Sequence, residues 1–227
     1  MKRDVSLEEI SDGRLYGAGD LVRVDTRGCG GCSSCCRGMG SSAILDPMDV
    51  WRLSAALGCG FDRLLEDCLE LGVTDGWVLP HLRMTGVDEA CGLLSSEGRC
   101  TVHGARPGVC RLFPLGRFYE GRSFRYFLQV HECPAAKSKV KVRKWLEIPD
   151  IEKYEAYITD WHYFLEDASR VLEGTGDAMQ SRACTFVLKT FYARPWEPDD
   201  FYGQFALRLQ EGLQFMGLRG GQQEERK

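Results

Sequence analysis

The sequence has no apolar run long enough to cross a bilayer, and its charged opening, Met1 to Glu9, has no apolar stretch behind it. Neither a membrane span nor a signal peptide is therefore expected. There is no basic excess: 29 Lys and Arg stand against 33 Asp and Glu, a formal net charge of −4. That removes the global electrostatic footprint of a nucleic-acid binder or of a protein held on anionic lipid. Histidine is scarce, at four. The one glycine-rich candidate for a phosphate loop, Gly17-Ala18-Gly19-Asp20, is too short and lacks a following helix. No acid–base pair or activated nucleophile stands out, and no internal repeat is visible. The expectation is a protein of the reducing cytoplasm, with no nucleic acid and no membrane among its partners. Its partner, protein or small molecule, is left unidentified.

What the sequence does have is cysteine, eleven in all, and eight of them fall into two blocks. The first is Gly28-Cys29-Gly30-Gly31-Cys32-Ser33-Ser34-Cys35-Cys36-Arg37-Gly38, a C-x2-C-x2-C-C pattern with glycine or serine at every intervening position. Such a loop lets sulfurs turn inward while the backbone approaches closely, with positive φ where needed. The second contains Cys91, Cys100 and Cys110, with Cys133-Pro134 behind them. In a reducing compartment clustered thiols mean metal or redox chemistry more often than disulfides. An odd count and the vicinal Cys35-Cys36 pair also fit a disulfide framework poorly.

Thiols in this number suit zinc, copper(I) or iron in a sulfide cluster. Zinc would use them as two four-cysteine sites. The C-x2-C-x2-C run has the spacing of a loop around a four-iron cluster, completed in bacterial ferredoxins by Cys-Pro. Cys133-Pro134 is the only place where proline follows cysteine here. Adjacent Cys35 and Cys36 project in different directions, which favours a polynuclear site over one tetrahedral ion. The metal ligand candidates are thus Cys29, Cys32, Cys35, Cys36, Cys91, Cys100, Cys110 and Cys133.

Charge points the same way. Between Glu97 and Phe127 six arginines face two acids, and Arg37 directly follows the first block. Arg37, Arg106 and Arg111 are the candidate residues beside the cofactor, since guanidinium groups lower thiol pKa and offset an anionic centre. A hydrated sheet face would account for the other arginines equally well. His103, three residues after Cys100, can ligate, hydrogen-bond a sulfur or sit on the surface, and His131 beside Cys133 has the same options. His81 and His162 are expected to be structural. Cys59 and Cys68, nine residues apart, would lie on opposite faces of one helix at about 100° per residue, so they are read as buried thiols. Cys184 is grouped with them.

The fold class expected is α+β: a small cysteine-rich metal-binding domain over 15–136, with short strands and two N-terminal helices, then a three-helix region over 137–218 packed on it. A disordered tail is expected over 219–227, and residues 1–14 are expected to be loosely held. Leu21 to Asp25 alternates like a strand. A helix opens at Asp46-Pro47 and ends at Gly58, and a second covers Phe61 to Leu71. Trp77 to Met84 is extended, Glu120-Gly121 turns a hairpin, and Ser95 to Gly98 makes a tight turn. Lys137 to Lys144 is basic and weakly amphipathic. Ile151 to Leu172 carries a continuous apolar seam, followed by helices over about Asp177 to Tyr192 and Asp199 to Met216.

On Cys29-x2-Cys32-x2-Cys35-Cys36, the Cys91 and Cys100 pair, and Cys100-Thr-Val-His103-Gly-Ala-Arg106-Pro107-Gly-Val-Cys110-Arg111-Leu-Phe113-Pro114, the chain resembles the YkgJ family of zinc- or iron-chelating cysteine-cluster proteins. The resemblance covers about residues 25 to 135. It is distantly similar to the flagellin lysine N-methylases, for which the resemblance implies an iron-sulfur cluster taking part in methyl transfer. The reading is an iron-sulfur protein, with a four-iron four-sulfur cluster, in an electron-transfer or cluster-dependent role. An oxidoreductase or a methyltransferase using S-adenosylmethionine would both fit. The alternative is a zinc-binding structural or interaction module with two four-cysteine sites.

Overall fold

The computed structural model describes residues 6–24, 32–130, 132 and 138–218. A helical turn α1 (Leu7–Ile10) leads into strands β1 (Ser11–Tyr16) and β2 (Leu21–Val24). Helices α2 (Pro47–Leu57) and α3 (Phe61–Asp67) follow, then a ribbon of β3 (Leu69–Thr74) and β4 (Trp77–Leu82), and a short hairpin of β5 (Met84–Thr85) and β6 (Ala90–Cys91). After α4 (Gly108–Leu112) come β7 (Leu115–Glu120), β8 (Ser123–Gln129) and β9 (Ser138–Lys141). The chain then continues through helices α5 (Val142–Leu146), α6 (Ile151–Leu172), α7 (Asp177–Val187), a π-helical extension over Leu188–Ala193, and α8 (Phe201–Phe215).

Helix and strand are thus mixed, and all strand pairing is antiparallel: β1-β8-β7 form one sheet, and β2-β9, β3-β4 and β5-β6 are two-stranded. The alternation in β2 buries Val22 and Val24 and exposes Leu21 and Arg23. β2 pairs with β9, so the basic stretch after Lys137 is a strand before it is a helix. The β7–β8 hairpin turns at Gly121-Arg122, one residue later than expected, with φ of 57° and 61°. Both central residues are left-handed, as the tightest hairpin turn requires.

Helix α2 is set by its own ends. Asp46 and Asp49 exchange backbone and side-chain bonds as a capping box, Pro47 opens the first turn, and Gly58 closes the helix at φ 65°. Two expectations fail nearby. Residues 6–14 belong to α1 and β1, because Ser11 and Tyr16 find partners in Gln129 and Tyr126 of β8. The second helix stops at Asp67, where Cys68 leaves helical geometry (φ −145°, ψ −4°). Leu69 then pairs with Leu82 and is fully buried. Long-range strand pairing here overrides the apolar periodicity of the sequence.

One apolar core runs from Tyr16 to Met216 and takes side chains from nearly every element. The expected seam of α6 buries Tyr154, Tyr157, Ile158, Trp161, Phe164, Ala168 and Leu172. Helix α6 and the π-helical extension after α7 clamp the start of α2. Tyr157 Oη donates to Asp46 Oδ1 (2.9 Å) and accepts from Met48 N (3.1 Å), while Tyr192 Oη donates to Leu45 O (3.0 Å). No helix among the described residues is long and apolar enough to cross a membrane. The expected tail over 219–227 lies outside the described residues.

Candidate metal centre

The first cysteine block folds as a tight turn over Ser34–Cys36, entered through Ser33 at φ 41°. It is stitched to the β5–β6 hairpin: Arg37 bridges Ala90, and Gly38 N donates to Glu89 O (3.1 Å). The next residue of that hairpin is Cys91. Backbone pairing therefore carries the Cys35-Cys36 pair to the start of the second block, across more than fifty residues of sequence. Arg37 itself reaches Asp88 (3.5 Å) in a largely exposed ion pair, a contact that adds little stability in water.

The second block is shaped by its own turn. Leu94 bridges Cys100, Thr101 N donates to Leu93 O (2.9 Å), and Ser95 to Gly98 makes the expected turn. Cys91 and Cys100 stand at the two ends of this loop. Gly98 comes close to the first block, since a Cβ placed there would meet Ser33 Oγ at 3.6 Å.

Cys110 rides on α4, and α4 is held from below. Asp49, buried in the first turn of α2, accepts from Gly108 N at 2.6 Å. Arg111 folds back over the preceding turn, donating to Arg106 O (3.1 Å) and to Gly104 O. Under Gly108 lie Tyr154 Oη and the carboxylates of Asp49 and Asp46. Tyr154 in turn accepts from Arg117 Nη2 (2.7 Å). Burial drives the Asp49 carboxyl well above its ordinary value, and the neighbouring Asp46 charge adds to the rise.

The thiols act on one another. Cys36 hydrogen-bonds Cys35, which with the Arg106 charge lowers the Cys35 thiol to about 7. That same bond, then burial and the neighbouring Cys35, Cys110 and Cys91, raises Cys36. Burial raises Cys91, with Cys100 and Cys35 adding to the effect. Cys110 is raised by burial, then by Asp49, Cys91, Cys35 and Cys100. Five of the expected ligands, Cys35, Cys36, Cys91, Cys100 and Cys110, thus share one neighbourhood. Cys32 is exposed, its Sγ 3.2 Å from Ser34 Oγ. Cys29 and Cys133 lie outside the described residues.

No disulfide joins the described cysteines to one another. Among the described residues no three His, Cys, Asp or Glu side chains converge tightly enough to hold a single ion. One buried donor is only partly satisfied. Arg106 sends Nη1 to His103 Nε2 (2.7 Å) and Nη2 toward Glu147 (3.5 Å), but its buried Nε has no hydrogen-bond partner among the described residues.

His103 stands with Arg106, Arg111 and Glu147, and no thiol figures among the groups that shift it. His131 lies outside the described residues. His81 is buried and ties β4 to Ser41 O (2.6 Å), and His162 stacks on Tyr119 with centroids 3.5 Å apart. Burial lowers the His162 ring to about 4. Cys184 is buried against Gly76 O (3.5 Å), far in sequence from either block.

Two residues escaped the sequence reading. Cys59 and Cys68 bracket α3 rather than sharing a helix, and burial, Asp67, Cys59 and Cys91 raise the Cys68 thiol to about 11. Cys68 therefore borders the cluster, its carbonyl accepting from Arg83 N (2.9 Å) beside the β5–β6 hairpin, a contact no local pattern announces. Asp49, not singled out as a site residue by the sequence, caps α2 and also accepts from Gly108 N in the first turn of α4.

No curated protein and no solved structure matches the chain. Residues 28–134, a stretch that contains both cysteine blocks, match the CxxCxxCC family model, described as "Putative zinc- or iron-chelating domain".

Proposed function

We propose that Cys29, Cys32, Cys35, Cys36, Cys91, Cys100, Cys110 and Cys133 hold an iron-sulfur centre, and that the chain serves electron transfer or a cluster-dependent reaction in the cytoplasm. The observation that carries this reading is the meeting of Cys35 and Cys36 with Cys91, Cys100 and Cys110. The family match supports metal chelation by this stretch and names zinc or iron.

A four-iron cluster would supply one-electron transfer when bound. The protein's own groups do the rest. Asp49 fixes the helix that presents Cys110, and Arg106 places positive charge beside Cys35. The centre belongs to the stretch over 15–136, and the region over 137–218, which opens with strand β9 and α5 before its three expected helices, packs on the same apolar core. Methyl transfer from S-adenosylmethionine rests on the methylase resemblance alone.

Anaerobic purification followed by iron, zinc and acid-labile sulfide analysis tests the reading. Brown protein with iron and sulfide in equal amounts is the expected result. Colourless protein holding two zinc ions per chain would replace it with the structural zinc module.

A further inference from the structure

Beside the thiol cluster lies a groove between the second half of α2, the His103–Ala105 turn and the chain after α5. Its walls include Trp51, Arg52, His103, Gly104, Arg111 and Glu147. Arg106 stands behind His103 and reaches Glu147 at the rim. Three guanidinium groups thus face one carboxylate, and that carboxylate is 64% exposed.

Arg111 is only 5% exposed, yet its hydrogen bonds go to the backbone carbonyls of Arg106 and Gly104. Neither Arg52 nor Arg111 has an ion-pair partner among the described residues. Carbonyls carry no counter-charge, so the guanidinium groups of the groove are offset only in part, by the Glu147 carboxylate. His103 Nε2 accepts from Arg106, so the neutral ring carries its proton on Nδ1 and can donate. Trp51 packs on Phe201, centroids 5.3 Å apart, and is held in place as a wall.

We propose that this groove binds the phosphate group of a small molecule, through Arg52, Arg111 and the His103 Nδ1–H, with Trp51 flanking the attached moiety. Donors arriving from several elements, with more than one uncompensated positive charge, match a tetrahedral dianion better than a planar monoanion. The proposal stands on the groove itself and holds whatever metal the thiols take. Because Arg106 touches His103 and also bears on Cys35, the site adjoins the centre.

Calorimetric titration with inorganic phosphate, on metal-free and on metal-loaded protein, tests it. The expected result is saturable one-site binding in both forms, weakened at least tenfold by Arg52→Gln. Arg52 lines the groove and holds up no turn, so this variant retains the fold, which a circular-dichroism melt checks. Arg182→Gln, an equal charge change at an exposed position on α7, should leave binding unaltered. Absence of saturable binding, or equal weakening by the two variants, would overturn the proposal. Neither outcome bears on metal content, so this site and the metal centre fail separately.

Discussion

Gly108→Ala perturbs the support of Cys110 by a single methyl group. A Cβ at this position would lie 2.8 Å from Tyr154 Oη, 3.4 Å from Asp49 Oδ1 and 3.6 Å from Asp46 Oδ2. Tyr154 cannot swing away: it is 2% exposed, and its hydroxyl is bonded to Arg117. Overpacking of this kind costs about 1–3 kcal/mol, and a strained bond to a charged donor adds roughly 1 kcal/mol. Alanine in a helix returns at most about 1 kcal/mol, and less in the first turn. The net expectation is a loss of about 2 kcal/mol, which for a chain of this size lowers the melting temperature by roughly 4–8 °C. Relief of the clash must also tilt α4 away from Asp49 and displace Cys110, so metal retention against a chelator should fall as well. Gly104→Ala, with nothing within 4 Å of the added carbon, is the control and should change stability by less than about 0.5 kcal/mol. Thermal and urea melts of both variants, with metal analysis, decide the matter. A Gly108→Ala protein that melts with the wild type and keeps its metal would refute the packing argument.

The remaining predictions concern charge and the division of the cysteines. The folded protein holds the Asp49 proton more tightly than the unfolded chain, because burial, with the neighbouring Asp46 charge, raises its carboxyl well above the ordinary value. Its contribution to stability is therefore full below about pH 4 and is lost as pH rises through the elevated folded value. Metal-free protein should become less stable in urea from pH 4.5 toward 7.5, and Asp49→Asn should flatten that slope; an unchanged slope would contradict the assignment. Cys110→Ser should lose the metal, whereas Cys184→Ser should retain all of it. Stripping of the metal by Cys184→Ser alone would mean the thiols have been divided wrongly.

Much of this arrangement could be read from local pattern. Asp46, Pro47 and Gly58 fix α2 because caps act through the residues beside them, and the α6 seam follows from periodicity over six turns. The cysteine spacing likewise marked out two blocks, whose meeting was expected only on the condition that they share metal. What escaped depends on distant partners. Leu69 looks helical until Leu82 pairs with it, and the Ser11 strand exists because β8 offers an edge. Asp49 caps its own helix by a sequence rule, but its second bond, to Gly108, spans 59 residues. His103 sits at a ligand-like spacing from Cys100, yet Arg106, one helical turn on, takes its Nε2. Spacing constrains which side chains can meet; competing donors decide which do.

The claim that matters most is that both blocks serve one centre, and stepwise alkylation of the metal-loaded protein under increasing chelator, read by mass spectrometry, tests it most directly. Cys35, Cys36, Cys91, Cys100 and Cys110 should resist labelling while metal is bound and become reactive together, at one chelator concentration. Release of Cys35 and Cys36 at a different concentration from Cys91, Cys100 and Cys110, or labelling of either group before any metal leaves, would contradict a shared centre.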